Sequence, residues 1–112
     1  MVTHLVFIQL KNEYSLEQKK NAIEEIALAL KELPKDINEI KYYEVVVNEI
    51  DKKGSSEIGL ISKFESYDTL NIYRNHSKHL EAVETILKHK QAITSFDYTT
   101  SESIYKNNLF KE

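Results

Sequence analysis

The sequence predicts an α+β domain of ferredoxin-like order, β-α-β-β-α-β, with a four-stranded antiparallel sheet. Three observations carry this. Val2 to Leu10 is apolar at nearly every position, two serine-led stretches have helical periodicity, and a glycine turn separates two β-branched runs.

Val2–Leu10 (VTHLVFIQL) is β-branched and aromatic with few polar breaks, as expected of a central strand covered on both faces. Ser15 then opens Ser-Leu-Glu-Gln, the capping-box spacing that pairs a serine N-cap with Gln18 three residues on. From Leu16 the apolar side chains Ile23, Ile26, Ala27 and Leu30 recur on one face, with Glu17, Lys19, Lys20, Glu24 and Glu25 on the other. Leu33-Pro34 should end this helix, because proline pushes the preceding residue out of the α region.

Ile37 to Asn48 has strand composition, and Asp51-Lys-Lys-Gly54-Ser-Ser56 should turn it into an antiparallel partner, Glu57 to Phe64. Ser66 caps a second helical stretch with Asp68 at its positive end, and a break is expected near Asn75 to Ser77. Gln91 to Thr99 alternates as a last strand, which sets the domain at residues 1–101 and leaves 102–112 as a polar tail. Ile104, Tyr105, Leu109 and Phe110 are the tail's apolar docking points.

This order puts both helices on one sheet face and leaves the other bare. Alternation sends Leu5 and Phe7 to one side of the first strand and His4, Val6 and Ile8 to the other. In the last strand Ala92, Thr94, Phe96 and Tyr98 oppose Ile93, Ser95 and Asp97. A face with Phe7, Phe96 and Tyr98 needs a cover, which is either a second copy in a homodimer or the chain's own tail.

Composition narrows the function. The chain has 112 residues, no cysteine and a formal net charge of -3. The absence of cysteine removes thiol nucleophiles and thiolate metal sites, and the acidic balance argues against nucleic acid. No positively charged leader and no apolar run of membrane length is present, so a cytoplasmic chain with no membrane contact is expected.

The segment Phe64 to Val83 (FESYDTLNIYRNHSKHLEAV) is more patterned than helix formation requires. With Val-Thr-His4-Leu-Val at the start and Ser95-Phe96-Asp97-Tyr98 at the end, it resembles the Dabb family of stress-responsive dimeric α+β barrels, over Met1 to about Ser101. The resemblance implies two ferredoxin-like protomers packed sheet to sheet. Similarity to a polyketide cyclase of that family implies cofactor-free chemistry with His79, Tyr73, His4 and Asp97 as catalytic residues. Two positions depart from the cyclase pattern: Ile58 stands where it has a pocket histidine, and Ser77 replaces the usual proline.

In that scheme His79 takes a proton from a carbon beside a carbonyl, Asp97 holds the His79 tautomer, and Tyr73 donates to the developing oxyanion. His4 polarises a second carbonyl or positions the substrate. Val6, Ile8, Ile23, Ile26, Leu60 and Ile93 are expected to line a pocket for a small apolar ligand. His76 is read as helix-junction structure and His89 as a partner for the negative end of its helix. His76-x-x-His79 has no clear third ligand beyond Asp97 or Glu81, so no metal is expected. Two other readings share the fold: a non-catalytic ligand-binding or stress-related dimer, and a cofactor-free monooxygenase.

Overall fold

The computed structural model describes residues 1–99. It contains β1 (Val2–Leu10), α1 (Leu16–Lys31), α2 (Leu33–Asp36), β2 (Tyr42–Val47), β3 (Ile58–Phe64), α3 (Tyr67–Asn75), α4 (Ser77–His89) and β4 (Lys90–Thr99). One four-stranded sheet runs β2-β3-β1-β4, every pairing antiparallel. The apolar first strand is central, as its composition predicts. The tail residues Ile104, Tyr105, Leu109 and Phe110 lie outside the described residues.

Local signals explain most boundaries. The Ser15 hydroxyl accepts from the Gln18 backbone N–H at 3.1 Å, and the Gln18 side-chain Oε1 accepts from the Ser15 backbone N–H at 2.8 Å. Ser66 and Thr69 form the equivalent box at the start of α3. The second helical stretch breaks where predicted. His76 ends α3 in extended conformation and caps α4, its Nδ1 accepting from the Lys78 N–H at 3.1 Å. The last strand runs from Lys90 to Thr99, one residue longer at its start than the alternation suggests.

The second strand starts five residues later than its composition suggests. Pro34 sits in the first turn of α2, where its missing N–H is no loss, and the Ile37 N–H returns to the Leu33 carbonyl at 3.0 Å. Ile37 is therefore a buried turn residue of the core.

The helices cover one face. Its core includes Val2, Ile8 and Leu10 of β1, Ile58, Leu60 and Phe64 of β3, Ala22, Ile26 and Leu30 of α1, and Leu70, Tyr73, Ala82 and Ile86 from α3 and α4. The opposite face presents Phe7, Phe96 and Tyr98 at 39%, 60% and 42% exposure. Beside Phe7 a hollow of about 490 Å³ opens between Val46, Gly59 and Thr94. A side chain at Gly59 would meet the Val46 methyl at 3.0 Å, so glycine keeps the hollow open.

The far end of the helical layer is tied by side chains. The Tyr14 hydroxyl bonds His89 Nδ1 at 2.7 Å, and His89 Nε2 bonds the Glu25 carboxylate at 2.8 Å. His89 thus links α4 to α1 in addition to sitting in the last helical turn. His89→Ala should lower stability by about 1–2 kcal/mol, checked by urea denaturation; an unchanged midpoint would show the tie to be idle.

Candidate functional site

The strand registers place one residue from each strand in a single transverse row on the helix-covered face. Tyr43 of β2 pairs with Ser62 of β3, Ser62 pairs with His4 of β1, and His4 pairs with Asp97 of β4. Because alternation is fixed along each strand, all four side chains face the helices. His4 and Ser62 are buried polar residues in the central strands, and the Ser62 hydroxyl donates to the His4 carbonyl at 3.2 Å.

The α3–α4 elbow covers this row. At one end the Tyr73 hydroxyl meets that of Tyr43 at 3.1 Å. Along the row the Tyr73 ring packs 4.4 Å from the His79 ring and 5.0 Å from Phe64, with His4 edge-on at 6.4 Å. At the other end Asp97 accepts from His4 Nδ1, and its second oxygen accepts from the Arg74 guanidinium at 2.9 Å.

These contacts fix proton positions. Burial pushes Asp97 upward, but the hydrogen bond from His4 and the His4 and Arg74 charges hold it below the usual carboxylate range. An ionised carboxylate only accepts, so His4 carries its hydrogen on Nδ1. His79 Nδ1 lies 2.9 Å from the Arg74 carbonyl, which likewise only accepts. Burial lowers the His79 pKa, with help from the His4, Arg74 and His76 charges and against the hydrogen bond to Arg74. Near neutrality His79 is therefore an uncharged base with its lone pair on Nε2. Burial also raises the Tyr43 and Tyr73 hydroxyls, which stay protonated.

The four residues expected to carry chemistry do gather, but one pairing differs. Asp97 holds the tautomer of His4, its cross-strand neighbour, and the Arg74 carbonyl holds that of His79. The expected pocket is also different. Ile8, Ile26 and Leu60 are packed into the core, Val6 and Ile23 lean on it, and Ile93 is exposed on edge strand β4. Ile23 instead lines a separate cleft of about 570 Å³ between α1 and the β2–β3 loop, with Leu16, Lys19, Val47 and Ile50. Among the described residues, no group of three His, Asp or Glu side chains is placed to hold a metal ion.

Sequence reasoning missed Arg74, Ser62 and Tyr43. Arg74 had a signal: it is the chain's only arginine, every other basic residue among its 15 Lys and Arg being lysine. Ser62 and Tyr43 become visible only through the register of the β2–β3 hairpin.

The site also sets an acid response. His79 and Asp97 both have folded pKa values below their unfolded ones, so the unfolded chain takes up protons first as pH falls. The His79 contribution is complete above its usual value of 6.5 and is lost as pH falls through its lowered folded value. The Asp97 contribution is complete above 3.8 and is lost below it. Thermal unfolding midpoints measured from pH 7 to 5 should fall more steeply for the native chain than for His79→Gln. Identical slopes would contradict this assignment.

A ferredoxin-like sheet with helices on one face, a bare apolar face opposite and a polar row under the helices defines the protomer class of α+β barrels. The chain belongs to the stress-responsive A/B barrel domain family, whose profile matches residues 2–100. A search among curated proteins returns no significant sequence match.

Similar solved structures include a dimeric ferredoxin-like protein of unknown function from Bacteroides fragilis, 27% identical with a TM-score of 0.79 over 87% of this chain and 93% of that one. Another dimeric ferredoxin-like protein, from Thermobifida fusca, is 17% identical with a TM-score of 0.74 over 88% and 89% of the two chains. A hydroxynitrile lyase from Passiflora edulis is 19% identical with a TM-score of 0.74 over 91% and 94%. No helix among the described residues is long and apolar enough to cross a membrane.

Proposed function

We propose that two copies of this chain close into a barrel across their bare sheet faces, and that each protomer carries a cofactor-free acid/base site for a small carbonyl compound. The observation supporting this most directly is the double role of Arg74: its guanidinium fixes the Asp97–His4 pair and its carbonyl fixes His79. One residue thereby presents two imidazoles, each with Nδ1 committed and Nε2 left for chemistry.

In the proposed reaction His79 Nε2 removes a proton from a carbon beside the carbonyl. The enolate oxygen takes a hydrogen bond from Tyr73, whose proton is available when Tyr43 donates to it. His4, backed by Asp97, stabilises charge on a second oxygen once its Nε2 is protonated. The hydroxynitrile lyase shares this fold, consistent with the scaffold accommodating chemistry at small polar substrates.

The complete burial of Tyr73 favours a second reading, in which the cluster fastens the elbow to the sheet and the barrel binds an apolar ligand without reacting. Deuterium exchange beside the carbonyl of small ketones, followed by proton NMR in D₂O, separates the two. The native chain should catalyse exchange, and His79→Ala and Tyr73→Phe should slow it by about 100- to 10,000-fold while staying folded. Exchange at the buffer rate with native protein would leave the binding reading.

A further inference from the structure

Resting on that acid/base reading, we propose that the substrate carries a carboxylate and that Arg74 binds it, making the ligand class small keto acids. Arg74 is 40% exposed at the side chain, whereas Asp97 is 25% and His4 7% exposed, so the guanidinium lies at the outer edge of the cluster. A guanidinium has five N–H donors. Among the described residues only Asp97 accepts from it, through one terminal nitrogen.

An arginine needed only to orient Asp97 has no use for an outward edge, and Asp97 is already gripped by His4. The remaining donors form a planar fork matched to a carboxylate, a geometry the lysines elsewhere in the chain do not supply. The guanidinium carries the local positive charge, and the one carboxylate in contact with it, Asp97, is shared with His4.

Position supports the same conclusion. Arg74 spans the cluster: its backbone carbonyl accepts from His79 Nδ1 at 2.9 Å, and its guanidinium reaches Asp97 at 2.9 Å, so an acid group on the guanidinium sits at the Asp97–His4 end of the same cluster.

The test uses 4-oxopentanoate and its methyl ester, with ¹⁵N-labelled full-length protein and binding read from the Arg74 Nε–H and His79 ring resonances. The acid should bind the native chain at least tenfold more tightly than the ester and shift the Arg74 Nε–H. Arg74→Gln should bind both alike, and Arg74→Lys should keep part of the preference. No binding of the acid, equal binding of acid and ester by the native chain, or full preference retained in Arg74→Gln would each overturn the proposal. If Arg74→Gln fails to fold, the Arg74 Nε–H shift in the native chain decides, since it should respond to acid and not to ester.

Exchange measurements keep the two readings apart. Acid-selective binding without deuterium exchange preserves Arg74 as an anion receptor and removes the catalytic reading. Equal exchange of acid and ester preserves the catalysis and removes the carboxylate preference.

Discussion

Replacing Phe96 by glutamate should yield a 13.1 kDa monomer at micromolar concentration, where the native chain should sediment as a dimer. Phe96 is the most exposed aromatic on the bare face, 6.0 Å from the Tyr98 ring, and Phe7 lies on the neighbouring strand. Three aromatic side chains on one sheet face form a patch that water does not favour, and a two-fold partner presenting the same patch removes it. A two-fold axis brings the new carboxylate in twice, unpaired in an apolar contact, at a cost of about 3–5 kcal/mol. The substitution leaves the helix-side core untouched, so the monomer should remain folded by circular dichroism. A Phe96→Glu dimer as stable as the native one would remove this face from the interface.

Asp97→Ala should reduce catalysed exchange by at least about 100-fold and destabilise the fold by about 1–3 kcal/mol, because it strips the shared anion from between Arg74 and a buried His4. Asp97→Asn separates the two effects. The amide fills the same space, but it can present an N–H to His4 Nδ1 and favour the wrong tautomer. Stability should then stay near native while exchange falls. Native exchange in Asp97→Asn would mean that His4 takes no part in the chemistry.

Where the determinants are local, the sequence was a sufficient guide. The Ser15 box, the hairpin around Gly54 and the elbow before Ser77 each depend on a few adjacent residues, and all form as expected. Leu33-Pro34 ends α1 as expected, but the same proline also opens the short α2, and this second role delays β2 to Tyr42. His4, Tyr73, His79 and Asp97 were recognised as a group through family resemblance. The partner of Asp97 was not, since it depends on β1–β4 register, which no run of residues encodes alone. The pocket was drawn from apolar side chains on the correct face, but apolarity does not distinguish a lined void from a filled core, and Ile8, Ile26 and Leu60 fill it.

The transverse row has a kinetic consequence. His4 and Asp97 are 93 residues apart, and Tyr43 and Ser62 come from the intervening hairpin, so no fragment shorter than nearly the whole domain contains the row. Contacts this distant in sequence form only after much chain entropy has been lost, which places the docking of β4 late in folding. During synthesis the hairpin and both long helices can form before Asp97 leaves the ribosome. The row should then be completed only when β4 pairs with β1.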